Sequence, residues 1–202
     1  NFNLLILKII KLFLGIILTV SLAALFLVNQ ARQGQEAQRA LAESRMRLIM
    51  LEHIERILRP SQLINQMNFR LEDEGLISMS KRRSLEGQFY SQLTVFPELG
   101  YVALSDHQGT TLTLVKRNDR IELDLATKVD RRVHTYSTDK HGHPLELLSV
   151  GKPFDGRTRP WYQAAAKAGQ ATWSSPYMWF GRNELVVDAV RPFYDAEGNL
   201  MG

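Results

Sequence analysis

The residues best equipped for chemistry stand in "DGRTRPWYQAAAKAG", Asp155 to Gly169. Arg159 is followed directly by Pro160, Trp161 and Tyr162. A guanidinium offers a rigid fork of donors that matches a carboxylate bidentately. Pro160 suits the first turn of a helix, where its missing N–H would have no intrahelical partner. "WYQAAAKAG" then gives about two turns of good helix former, closed by Gly169. The helix dipole disfavours a cation just before such a helix, so Arg159 calls for an acidic partner. Trp161 and Tyr162 are consecutive and project about 100° apart, so one can enter the core while the other lines a cavity. Two readings stand. Arg159 pairs with an internal Asp while the aromatics plug a sheet edge, or the group is part of a ligand site. Downstream, Tyr177, Trp179 and Phe180 lie beside an expected hairpin and add the aromatic walls that a small-molecule pocket uses.

Other chemistry is weaker. His141 and His143, with His134, are the one histidine cluster, and "HGH" sits in an expected turn where solvated side chains are the better account. Glu122 and Asp124 share one strand face like paired carboxylates, but a polar outer face explains them more simply. No phosphate-cradling glycine loop, nucleophile elbow or H-E-x-x-H is present. With no cysteine, a disulfide framework, thiolate metal site and thiol nucleophile are excluded. No catalytic residue, metal ligand or cofactor is expected in this stretch of chain.

The elements that must position these residues begin with a membrane segment. The chain has 202 residues, 45% hydrophobic and 23% charged, with a formal net charge of +4. That suits one globular domain plus an appendage. The basic residues are scattered, so no nucleic-acid partner is expected. "LFLGIILTVSLAALFLV", Leu12 to Val28, is an uncharged run of about 17 residues. Counted from Leu4 across Lys8 and Lys11 it reaches about 25, enough for a ~30 Å hydrocarbon core. A cleaved signal peptide is the rival, but no small-x-small site follows Val28 and the run exceeds a usual signal core. Lys8 and Lys11 favour a cytoplasmic N-terminus, although Arg32 and Arg39 blunt that asymmetry. The expected divisions are a flank over 1–11, a transmembrane helix over 12–29, a helical stalk with packing helices over 30–99, and a sheet domain over 100–202.

From Gln30 to Arg59 the composition is helical, and Ala37, Leu41, Ser44, Leu48, Leu51, Ile54 and Leu58 form one mostly apolar stripe. That stripe suits a sheet or a second copy of the chain, so a homodimer through the stalk is expected. Pro60 should close the helix, with Ser61 capping a second one that stops at Gly75. A third should carry Leu85, Phe89, Leu93 and Phe96 on one side and end at Pro97. After Gly100 the pattern alternates with the period of strands. "DHQG", "DKHG" and "DAEG" read as reversals between antiparallel strands, since Asp bonds its local backbone and Gly accepts positive φ. Helices followed by a hairpin-built sheet make an α+β plan. The chain stops at "AEGNLMG", where a strand is starting, so a continuation past Gly202 is expected.

"FDGRTRPWYQAA" followed by "WSSPYMWFGRNELVVDAVRPFYDAEGNLMG" resembles the extracytoplasmic Cache sensor domains, especially the double-Cache type of bacterial receptors. The resemblance covers Arg32 to Gly202 and implies a PAS-like antiparallel sheet flanked by helices, a membrane-distal ligand-binding module and a second, membrane-proximal one. It also implies a second membrane helix and a cytoplasmic output, for which a nucleotide cyclase, diguanylate cyclase, histidine kinase or chemotaxis receptor are the options. In amino-acid-sensing members an Arg, Trp and Tyr hold the ligand carboxylate. Their counterparts here are Arg159, Trp161 and Tyr162, with Tyr177 at a later aromatic position. The Asp that grips the amine in that class would fall after Gly202, and the Tyr expected before the motif is Phe154. The implied protein sits in the cell's inner or plasma membrane, with the sheet domain outside the cytoplasm sensing an amino acid or small carboxylate. The alternative is a membrane-anchored structural or interaction domain without a metabolite ligand.

Overall fold

Helix formers and apolar residues produce one long helix, α1, over Phe2–Asp73. The computed structural model describes residues 2–180 and 182–202. Asn1 lies outside the described residues, as do the side chains of Leu4, where the extended apolar run begins, and Ala37, the first member of the stripe. The chain divides into two compact units, Asn1–Glu55 and Arg56–Gly202.

The first unit is helical. Its stretch from Lys11 contains a window of mean hydropathy 2.4, long and apolar enough to cross a membrane. Leu12, Phe13, Leu25 and Phe26 are exposed, as are Leu41, Leu48, Leu51 and Ile54 of the stripe. This composition is compatible with a place in a membrane.

In the second unit the helix runs through Pro60 instead of ending there, and Ser61 caps nothing. A proline removes one backbone donor and usually breaks a helix at a cost of about 3 kcal/mol. Here its ring is buried, and the turns beyond it place Ile64 in the core. Packing of the proline itself and of the turns beyond it offsets the lost bond. The helix stops as expected at Gly75, whose φ of 67° releases Leu76 N–H to the Leu71 carbonyl at 2.7 Å.

Helix α2 covers Arg82–Val95. Leu85, Phe89 and Leu93 recur at four-residue steps and are buried together, whereas Phe96 is half-buried at the C-cap. They pack on an antiparallel sheet made of β1 (Tyr101–Ser105), β2 (Thr111–Arg117), β3 (Arg120–Ala126), β4 (Arg132–Thr138) and β5 (Pro144–Pro153), in the order β1-β2-β3-β4-β5. Each strand follows its predecessor by a reversal whose chemistry is local. Asp106 accepts backbone N–H bonds from Gln108 and Thr110, and Asp139 from His141 and His143. Gly109 and Gly142 take φ of 90° and 83°. Between β2 and β3, Asn118 and Asp119 both have positive φ, the geometry of a two-residue type I′ turn.

Because side chains alternate along a strand, the sheet has two distinct faces. Leu112, Leu114, Leu123 and Leu125 turn to the helices and form the core with Ile64, Leu85, Phe89 and Leu93. Thr113 and Asp124, paired across β2 and β3, stand on the opposite face. That face is covered by the chain after β5: a single 3-10 turn (Gly156–Thr158), helix α3 (Pro160–Ala168), and four short strands. Strand β6 (Thr172–Trp173) pairs with β9 (Ala189–Val190), and β7 (Tyr177–Met178) with β8 (Leu185–Val186). The third Asp-x-x-Gly turn, at Asp195, returns the chain so that Met201 O accepts from His107 N–H at 2.8 Å. The architecture is α+β.

Candidate functional site

Between the open face of the sheet and its cover lies a cavity of about 390 Å³. The sheet contributes Tyr101, Thr113, Arg117 and Asp124 to its wall, and the cover contributes Phe154, Arg159, Trp161, Tyr177, Trp179 and Phe180. It is within the range of small-molecule sites, with aromatic surfaces and a few polar groups.

The two arginines of "RTR" have different fates. Arg157 is held by Asp155, with Nε at 2.9 Å from Oδ1 and Nη2 at 2.6 Å from Oδ2. Those hydrogen bonds keep the Asp155 carboxyl below its ordinary range. Arg159 caps α3 through its backbone, with φ −84° and ψ 148°, and its side chain enters the cavity wall. The acidic partner expected from the sequence is missing: among the described residues Arg159 makes no ion pair. Its guanidinium carbon instead lies 5.3 Å from the Phe180 ring centroid and 5.8 Å from that of Tyr177. Aromatic faces attract a cation without neutralising it. The local carboxylate, Asp155, is already committed to Arg157.

Pro160 occupies the first helical turn and Gly169 ends α3 with φ 66°, as the sequence indicates. Trp161 and Tyr162 diverge accordingly. Trp161 lines the large cavity, while Tyr162 is buried and borders a smaller one of about 130 Å³ together with Ile64 and Ala165. Of the four candidate residues, Arg159, Trp161 and Tyr177 therefore share the large cavity, and Tyr162 does not reach it. Phe154 does, meeting Phe180 edge to face at 5.1 Å.

Two polar groups of this wall were not expected from the sequence. Asp124 and Glu122 face the covered side and not a solvated outer one. Arg117 holds both, with contacts of 2.8 Å to Glu122 and 2.5 Å to Asp124, and Thr135 donates to Asp124 at 2.7 Å. The second group joins three residues far apart in sequence. Tyr101 donates to Asp188 Oδ1 at 2.5 Å and Tyr177 to Oδ2 at 2.7 Å, with the phenol oxygens 3.2 Å apart. Burial pushes the Asp188 carboxyl above its ordinary range, against the pull of the two hydroxyls. Burial also raises both tyrosines, followed at Tyr101 by the charge of Asp188, so the phenols stay protonated. A sequence signal for Asp188 exists: it interrupts the apolar run "LVVDAV".

On this geometry the comparisons with known proteins can be read. No curated protein and no solved structure matches the chain at a significant level. Residues 106–202 match the family model described as "Methyl-accepting chemotaxis protein-like, first PDC sensor domain". That segment includes Arg159, Trp161, Tyr177 and Phe180, so most of the cavity wall lies where the chain is similar to a PAS-like sensory input domain of the chemoreceptor type.

Proposed function

We propose that the cavity binds a small carboxylate or amino acid and that the protein is the ligand-sensing input of a membrane-anchored receptor. One observation carries this: Arg159 presents a guanidinium without an ionic partner, among the described residues, to an aromatic-walled cavity of about 390 Å³. Such a group binds a carboxylate strongly because its own desolvation is not yet compensated by an anion. The family match supports sensing over catalysis. The apolar window of α1 anchors the chain in the membrane, with the second unit outside the cytoplasm. The exposed stripe of Leu41, Leu48, Leu51 and Ile54 joins two copies. Ligand then biases the receptor only through unequal affinity for its signalling states.

The test is thermal unfolding of the full chain in detergent micelles against a panel of amino acids and small carboxylates. Wild type is expected to be stabilised by at least one, and Arg159→Ala to lose that response. A panel without a hit, or a hit indifferent to Arg159→Ala, overturns the reading. Single cysteines along the stripe should crosslink in pairs; absence of any crosslink removes the dimer.

A further inference from the structure

Tyr177 stands between the cation that would hold a ligand and a carboxylate that would not touch it. Its ring centroid is 5.8 Å from the Arg159 guanidinium carbon, and its hydroxyl donates to Asp188. Tyr101 donates to the other oxygen of the same carboxylate. A phenol has one proton to give. Both are directed at Asp188, so the polar capacity left on the Tyr177 oxygen is that of an acceptor. The arrangement is braced from behind. Asp188 N–H donates to Ser174 Oγ at 3.0 Å, and Ser174 N–H to the Asp188 carbonyl at 2.9 Å, with Ser174 itself buried. Turning the Tyr177 hydroxyl towards the cavity would leave one oxygen of a part-buried carboxylate without its donor, which is costly.

The two polar groups flanking the Tyr177 ring are therefore of opposite type. Arg159 offers only donors, and Tyr177 offers lone pairs. With the Arg159 guanidinium carbon 5.8 Å from the Tyr177 ring centroid, a carboxylate gripped by Arg159 would have the substituent on its adjacent carbon within reach of Tyr177. A hydroxyl or ammonium there completes a hydrogen bond. A keto oxygen places acceptor against acceptor, and a bare methylene leaves the phenol oxygen dry and unpaired.

We infer that Asp188 is a positioning residue which, by accepting the hydrogen bond of the Tyr177 hydroxyl, makes the site select carboxylates bearing a hydroxyl or ammonium on the adjacent carbon over their keto and unsubstituted counterparts. This rests on the carboxylate reading of the cavity. Sites built to hydrogen-bond a substituent discriminate strongly against analogues lacking it, because their own polar group is left unpaired.

The experiment is calorimetric titration of the full chain in micelles with two matched series: lactate, alanine, pyruvate and propanoate, then 3-phenyllactate, phenylalanine, phenylpyruvate and 3-phenylpropanoate. In whichever series binds, the hydroxy or amino acid is expected to bind about tenfold or more tightly than the keto and unsubstituted acids. Asp188→Asn should shrink that gap to about threefold or less while keeping the unsubstituted acid's affinity, because an amide can donate to Tyr177 and free its proton for the ligand. Loss of structure alone would weaken all four acids together. Tyr177→Phe, which removes the acceptor, should erase the same preference and serves if Asp188→Asn fails to fold. Equal binding across a series by wild type, or a preference that survives both variants, overturns the inference while sparing the carboxylate reading. If none of the eight acids binds wild type, this inference falls, while the carboxylate reading is decided by the thermal unfolding panel.

Discussion

Trp161 and Tyr162 are chain neighbours whose ring centroids lie 5.9 Å apart with planes inclined at 70°, and only Trp161 borders the cavity that holds Arg159. Truncating the two should therefore separate binding from stability. Tyr162→Ala is expected to cost about 3 kcal/mol, in the range of buried aromatic truncations, with ligand affinity retained at temperatures where the fold persists. Trp161→Ala should cost less stability and weaken ligand binding about tenfold or more, as loss of a pocket wall would. Thermal unfolding and titration on the same two variants check both. Equal losses of stability would mean that the aromatics act as one packing unit.

Gly156 marks a second point of close contact. A Cβ there would sit 2.5 Å from both Ser105 Oγ and Thr111 Oγ1, which hydrogen-bond each other at 2.8 Å in a buried position. Neither oxygen can retreat without abandoning the other. Gly156→Ala should destabilise the domain by about 1–3 kcal/mol. Urea unfolding measures it, and a change below about 0.5 kcal/mol would show that the 3-10 turn shifts freely.

Phe89 projects from α2 into the core with the leucines of β2 and β3, 2% exposed. Phe89→Ala is expected to cost about 3–5 kcal/mol through lost burial and a residual cavity. Because Phe89 serves the helical face of the sheet, affinity for any ligand of the opposite face should be unchanged where the variant is still folded. A parallel loss of affinity would refute the independence of the two faces.

Asp188 predicts a pH dependence of definite sign. Burial raises its folded carboxyl above the unfolded value of about 3.9. Between those two values the folded state keeps a proton that the unfolded chain has released. Stability contributed by this group is thus full below about 3.9 and is lost as pH rises through the folded value. Comparing Asp188→Asn with wild type cancels the other carboxylates, including Asp155, which acts in the opposite sense. The variant should gain on wild type as pH rises from about 3.5 to 7, by no more than about 1.4 kcal/mol per pH unit within the window. A stability difference that is flat with pH would contradict the burial of this carboxylate.

Legibility in the sequence followed the range of the forces involved. The Asp-x-x-Gly reversals, the limits of α3 at Pro160 and Gly169, and the divergence of Trp161 from Tyr162 are set within a few residues, and a few residues reveal them. Pro60 misleads because local chemistry breaks a helix there, and only burial of the proline and of Ile64 carries it on. Period-two alternation shows that Glu122 and Asp124 share a face, but not that the chain from Phe154 onward covers it. The helix dipole calls for an acid beside Arg159, yet Arg157 holds the nearby Asp155 and Arg159 faces aromatic rings instead. The Tyr101–Asp188–Tyr177 group spans 87 positions, and no local pattern announces such a meeting.

The division of the sheet into a leucine-packed face and a cavity face bears on how such a domain changes over generations. Residues that hold the fold together and residues that meet a ligand alternate along the same strands, yet they lie on opposite sides of the backbone. Most cavity positions can therefore be exchanged with little effect on folding, because the side that drives folding is untouched. Selection can retune what such a domain recognises without first rebuilding what holds it up.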